Sequence, residues 1–413
     1  MITALLLAVA IDSVFFANPV VTGRLERGIE EASGLVASKQ LPGLLWTHND
    51  SGDGPVVYGI DTMGRRLCAY ELNTDPEFLP GSDWEDIAYG WHVEPTDTTY
   101  YVFVGDIGDN NGKRDFINIY RMRETRSMKC APSKAPMPPS AALAKRRAFV
   151  YPDGPRDAET LLFDPMTEDL YILSKRDVRN RLYRVPRVIT KENQEGPDTL
   201  DFVMELPLFS ATGGDISSDG REILIKTYTH VYRWTRAIDE PLQTALARTP
   251  SVVKNYVPEP QGEAICFNAS GAGFYTVSES GTNDASSPLY YYSRTHIEPE
   301  QNLSISASKK KPSEYTINYR LANQTPVILT VHNELMMTVK LLVDTDETAG
   351  VHKHTIDMAA ANPGTYVVVL RHGAFYEAVP FTTSAKVAVS DRPGQKPKST
   401  ATSKRKKQKQ SQK

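Results

Sequence analysis

Cysteine is scarce: 413 residues carry three, Cys68, Cys130 and Cys266. No two have CxxC or zinc-ligand spacing, which excludes a zinc ribbon and a thioredoxin-type redox motif. Cys68 and Cys266 lie in apolar, strand-like runs and read as small buried side chains. Histidine is nearly as rare, with eight residues. Only His48 sits in a polar constellation, His48-Asn49-Asp50-Ser51-Gly52-Asp53. A nucleophile elbow, a phosphate-binding loop and an HExxH zinc helix are all missing, so a conventional serine hydrolase, NTPase or zincin is unsupported. Beyond the N-terminus, no run approaches the roughly 20 apolar residues that would cross a bilayer as a helix.

What is present points to strands. Tyr (20) outnumbers Phe (13) and Trp (4), and Val-, Ile- and Tyr-rich runs recur between Gly, Asp and Asn clusters. The chain is long enough for a large core plus a smaller module. Its net charge of −3 hides an asymmetry. Residues 386–413 carry +9, so residues 1–385 carry −12. An acidic body suits cations and makes nucleic acid an unlikely partner for it. Residues 1–19 (MITALLLAVAIDSVFFANP) resemble a secretory leader, with cleavage after Ala10 or Ala17, although no basic residue precedes the apolar run. A first strand is the alternative.

One short pattern recurs five times: Glu31-Ala-Ser33-Gly-Leu35, Asp83-Trp-Glu85-Asp-Ile87, Asp157-Ala-Glu159-Thr-Leu161, Thr212-Gly-Gly214-Asp-Ile216 and Gln261-Gly-Glu263-Ala-Ile265. A turn follows each copy, then one apolar strand with a polar end and another that is rich in tyrosine. A further strand precedes each, among them RRLCAYEL, DFVMEL and SVVKNYV. Four strands per unit at about 50 residues is the signature of propeller blades. The sequence therefore predicts an all-β chain: a five-bladed β-propeller over 20–295, with six blades as the alternative count. The 74-residue interval between Glu85 and Glu159 is assigned to CAPSKAPMPPSAALAKRR, read as an excursion between blades. The segment NPVVTGRLE before Glu31 is expected to close the last blade. Paired sandwiches with coincidental acidic pairs are the competing architecture.

Inner propeller strands line a channel, so repeated residues there converge. If the pattern opens that strand, alternate residues share a face. Glu31, Asp83, Glu85, Asp157, Glu159 and Glu263 would then form a self-repelling ring, and oxygen-only ligands favour calcium. The bland alternative is that these acids bind backbone amides of the next blade. Second-strand ends add His48, Asp50, Asp106, Asp109, Lys175, Arg176, Lys226, Tyr228 and Glu279. WTHNDSGDG and VGDIGDNNG could hold calcium or simply turn tightly. Lys175, Arg176 and Lys226 could hold an anionic substrate group, or act as ordinary salt-bridge partners; Lys175, Arg176 and His48 are the catalytic candidates.

WTHNDSGDG, DWEDIA, VGDIGDN, YPDGPRDAETL, GGDIS and PQGEAI together resemble bacterial extracytoplasmic propellers of the phytase-like or esterase-like kind, over roughly 28–294. That resemblance implies Glu85, Asp157, Glu159 and Glu263 as calcium ligands and Lys175 as a phosphate contact, with Gly214 at one carboxylate position. After a polar linker (296–312), residues 313–385 alternate as a small β-sandwich. Val343-Asp344, Ala349-Gly350-Val351-His352, Asp357 and Pro363-Gly364-Thr365-Tyr366 resemble the C-terminal sorting domain of type IX secretion cargo, which implies secretion machinery as a partner. The tail 386–413 is disordered by composition. The expectation is a secreted or cell-surface binding or scaffold module, calcium-stabilised, for a surface ligand. The alternative is a calcium-dependent phosphoester or ester hydrolase acting on a small anionic substrate.

Overall fold

A computed structural model describes residues 15–50, 53–75, 82–93, 95–131, 138–185, 196–280, 286–295, 302–321, 323–372 and 375–383. Nearly every described element is a strand, the exception being one short helix, Leu242–Leu246. The chain first builds antiparallel four-stranded units. Their innermost strands are Ala32–Ala37, Trp84–Val93, Ala158–Asp164, Ala211–Ile216 and Gly262–Phe267. Each inner strand packs against the next, and Gly262–Phe267 returns to Ala32–Ala37, so the ring closes. Apolar clusters fill each junction. Trp46 and Tyr120 lie between the first and second units. Phe103 and Tyr183 lie between the second and third, and Leu173 and Trp234 between the third and fourth. Leu224 and Phe274 join the fourth to the fifth, and Leu35 and Val277 join the fifth to the first. A unit with both faces apolar cannot fold alone, which is why the ring closes on itself. This arrangement is a β-propeller.

Closure uses the N-terminal segment, as expected. Val20–Arg24 pairs antiparallel with Pro288–Thr295 of the last unit. Gly23 is required there, because a Cβ would run into the Met63 carbonyl. Phe15 and Phe16 extend the pairing to Thr295 and Arg294, and Phe16 is buried. Of the segment read as a leader, residues 1–14 lie outside the described residues. Cleavage after Ala17 would remove the Phe16 contact; cleavage after Ala10 would keep it.

Two expectations are corrected. The excursion after Cys130 is in part a strand: Ser140–Val150 completes the second unit against Ile117–Glu124. Its first half also pairs in parallel with Arg66–Asp75 of the first unit, so the two units share one continuous sheet. Cys68, read as a small buried side chain, instead forms a disulfide with Cys130 across that same junction, with Cα atoms 4.8 Å apart. Spacing hid it, because 62 residues separate the partners and only the sheet joint brings them together. Cys266 alone is a free buried thiol.

Behind the propeller, two antiparallel sheets share one core. Ser304–Ala307, Glu314–Leu321 and Gly350–Asp357 form one; Thr338–Glu347, Thr325–His332, Gly364–His372 and Phe375–Thr383 form the other. Glu314–Leu321 alternates buried with half-buried or exposed residues, sending Tyr315, Ile317 and Tyr319 against Leu329, Val331, Val368 and Leu370.

Candidate functional site

All five inner strands carry the same irregularity near their start. Register shifts occur between Ala32 and Gly34, Trp84 and Asp86, Ala158 and Thr160, Ala211 and Gly213, and Gly262 and Ala264. The bulged residues are Ser33, Glu85, Glu159, Thr212 and Glu263. A bulge inserts an unpaired residue and re-aims its side chain. This corrects the alignment of the fourth copy: Thr212, not Gly214, stands with the carboxylates. The bulged positions then recur at intervals of 52, 74, 53 and 51 residues, more evenly than the pattern alone suggested. The deviation has a physical source. The fourth unit carries a hydroxyl there, which donates to the Gly262 carbonyl at 3.1 Å, so no acid marks the position. Ser33 behaves in a related way, donating to the Glu85 carbonyl at 2.5 Å and to Glu263 at 3.2 Å.

The bulges place a set of carboxylates at one end of the ring. Ligand oxygens of Asp50, Asp83 and Glu85 lie within 4.8 Å of one another, as do those of Glu85, Asp157 and Glu159. Glu85 belongs to both groups. Its carboxyl is pushed well above the usual range by burial first, then by Glu159, Asp50, Glu263 and Asp83. Asp83 is raised too, by burial that outweighs the pull of Arg114. Glu159 is raised by burial and by Glu263, against the opposing effect of Lys175. Its Oε2 is buried and has no hydrogen-bond partner among the described residues. Gly108 lets the loop pass, since a Cβ there would collide with the carboxylates of both Asp83 and Glu85.

Cations occupy the other side. Lys175, buried, contacts Glu159 Oε1, donates to the Tyr228 hydroxyl at 2.9 Å and lies 3.8 Å from Glu263. Burial alone would lower its pKa, but Glu159 and Glu263 outweigh it and raise it. Tyr228 also donates to Glu263 at 3.1 Å. Lys226, fully buried, is pulled down to about 8 by burial against Glu259 and Glu263, and its ammonium donates to the Gly262 carbonyl. Glu259, raised to about 7 by burial, accepts from Thr276 at 3.1 Å and from Tyr256 at 3.2 Å. Arg176 contacts Asp157 and Asn110. Glu279 is raised to about 8 by burial and by Glu263.

The remaining expected residues fall as follows. Glu31 is exposed and stands outside both carboxylate groups. His48 is completely buried; burial lowers its pKa to about 4, and its ring meets Trp84 edge-on at 5.6 Å. Asp53 and Asp109 stabilise their own loops. Asp53 accepts from Asn49 at 2.7 Å and Gly54 at 2.8 Å, and Asp109 accepts from the amides of Lys113 and Arg114 at 2.9 Å each.

Amide capping between units does occur, though mainly through acids the repeat did not single out. Asp86 accepts from Ile87 and, across the junction, from Leu161, both at 2.8 Å. Asp215 does the same with Ile216 and Phe267. Both immediately precede an isoleucine (Asp86-Ile87, Asp215-Ile216), a signal that was legible but unused. Among the repeat acids, Asp157 accepts from the Asp109 amide at 2.9 Å. Glu259 was also missed, lying between two prolines in what read as a loop.

No protein family matches the chain, and no curated protein matches it. Among solved structures, it is similar to PorZ, a bacterial surface component of the type IX secretion system of Porphyromonas gingivalis, at 12% identity and a TM-score of 0.29. That match covers 85% of this chain but only 44% of PorZ. The Dos1 propeller is similar at 11% identity and a TM-score of 0.27, covering 69% of this chain and 75% of that one. The Cps50 (Swd1) β-propeller domain of Myceliophteria thermophila is similar at 11% and 0.30, covering 63% and 83%.

Proposed function

We propose that this chain is an exported, five-bladed propeller serving as a binding or scaffold module, with a divalent cation, calcium first, held in its acidic mouth. The observation that carries this reading is the convergence of Asp50, Asp83, Glu85, Asp157 and Glu159. The donor set is all oxygen, which suits a hard cation. The buried, partnerless Glu159 Oε2 fits the same group. Bound there, the cation would neutralise carboxylates that otherwise repel across three neighbouring blades and so brace the ring. The disulfide supports an oxidising compartment. The paired sheets of 302–383 are read as a β-sandwich of the sorting kind, which would engage secretion machinery. The hydrolase alternative finds less support. Lys175 and Arg176, which phosphate would need, are already engaged by Glu159 and Asp157, and His48 is sealed from solvent.

Calorimetric titration of calcium into the full chain, after chelation, tests the reading. Saturable binding that is lost in the double variant Glu85→Gln/Glu159→Gln is expected. Absence of heat, with melting unchanged by calcium, would overturn it.

A further inference from the structure

The carboxylates fall into two groups that share Glu85, and beside Glu159 a cationic position is already filled. The Lys175 ammonium has the surroundings of a small oxygen-ligated cation. Glu159 Oε1 touches it, the Tyr228 hydroxyl is 2.9 Å away and Glu263 Oε1 is 3.8 Å away. All of these groups belong to the mouth, and Lys175 is itself buried. Glu159 is divided between two environments. Its Oε1 meets the ammonium, while its buried Oε2 has no hydrogen-bond partner among the described residues and its carboxylate groups with Glu85 and Asp157. Glu159 therefore bridges a filled position and one open to an ion. The buried Lys226 ammonium lies nearby, at the Gly262 carbonyl beside Glu263.

We propose that Lys175 is a tethered counter-ion that permanently fills one of two cation positions in the mouth, so that the propeller binds a single divalent ion. The proposal rests on the cation reading above and adds a stoichiometry to it. The seat is built by the sequence. Lys175 immediately follows the strand Asp169–Ser174, and its amide donates to the Asp157 carbonyl at 2.9 Å. That fixes the stem of the side chain beside the bulge that aims Glu159. Charge explains why the position resists a mobile ion: a divalent cation would have to displace an ammonium already held by two carboxylates, and Lys175 cannot diffuse away.

The test counts bound metal on the full-length protein. Wild type, Lys175→Met, Lys175→Arg and Lys175→Met/Glu263→Gln are prepared in calcium, freed of excess by gel filtration and assayed by atomic absorption, with calorimetry on chelated samples. Preparation in calcium keeps Lys175→Met measurable even if its cation-free form does not fold. One ion is expected in wild type and in Lys175→Arg, and two in Lys175→Met. The double variant, which removes a ligand of the vacated seat, should return to one. Two ions in wild type, or one in Lys175→Met, would overturn the proposal while leaving the cation reading intact. No ion in wild type, whatever Lys175→Met binds, would overturn the cation reading and with it the proposal that rests on it.

Discussion

Replacing Glu85 by Gln removes the carboxylate shared by both acidic groups while preserving side-chain volume. Its neighbours are other acids, with ligand oxygens within 4.8 Å. At that separation and an effective dielectric near 20, two full charges repel by roughly 3.5 kcal/mol. Four such neighbours cannot all remain ionised beside it, so bound protons relieve part of the repulsion when the cation is withheld. The gain left for Glu85→Gln in chelator near neutral pH is about 1–3 kcal/mol of added stability. A propeller of this size would then melt about 2–4 °C higher per kcal/mol. In calcium the sign should reverse, because the variant loses a ligand and wild type gains stability by mass action. The assay is a pair of thermal melts, with EDTA and with calcium, read by tyrosine and tryptophan fluorescence. Asp86→Ala serves as the contrast. It leaves the buried Leu161 amide without its acceptor and should destabilise by about 1–3 kcal/mol in both buffers. If Glu85→Gln melted lower than wild type in EDTA, its carboxylate would be acting as an amide cap and the argument from repulsion would fail.

Two further outcomes follow from the same geometry. Reducing or deleting the Cys68–Cys130 bridge, which spans 62 residues, should cost roughly 4 kcal/mol on the chain-entropy account; denaturant midpoints with and without reductant measure it, and an unchanged midpoint would show that the parallel strand joint alone holds the first two units. The cation-free chain should also lose stability between about pH 6.5 and 8. Glu279 is raised to about 8 by burial and Glu263, and Asp215 to about 7 by burial. A carboxyl whose folded value lies above its unfolded one contributes stability that is complete below the unfolded value and lost as pH rises through the folded value. His48, lowered to about 4, acts only below its ordinary 6.5. Lys39 and Lys226, lowered to about 8, act only above that value. The window is therefore left to the carboxyls. Melting temperature against pH in chelator measures the effect, and a flat or rising profile across it would refute the assignment.

Local chemistry determined much of this protein in advance. Val-, Ile- and Tyr-rich runs between Gly, Asp and Asn clusters marked the propeller strands, and the five-fold acidic pattern marked the start of each inner strand, because a residue that opens the same strand in every unit meets the same environment. The N-terminal closing strand was legible from its place, an apolar segment ahead of the first copy of the repeat. What local chemistry could not decide was which residues meet across units. The repeat is a pattern of types, and at the bulge Thr212 satisfies a carbonyl where Glu85 and Glu159 present charge, so composition misplaced the fourth copy by two residues. Asp86 and Glu85 are adjacent and both acidic, yet one caps an amide of the neighbouring unit and the other faces four carboxylates. Successive side chains on a strand point to opposite faces, and the bulge between Trp84 and Asp86 re-aims Glu85. Likewise, the Cys68–Cys130 bridge and the grip of Glu159 on Lys175 belong to the closed ring, because sheet pairing and ring closure set distances between residues far apart in the chain.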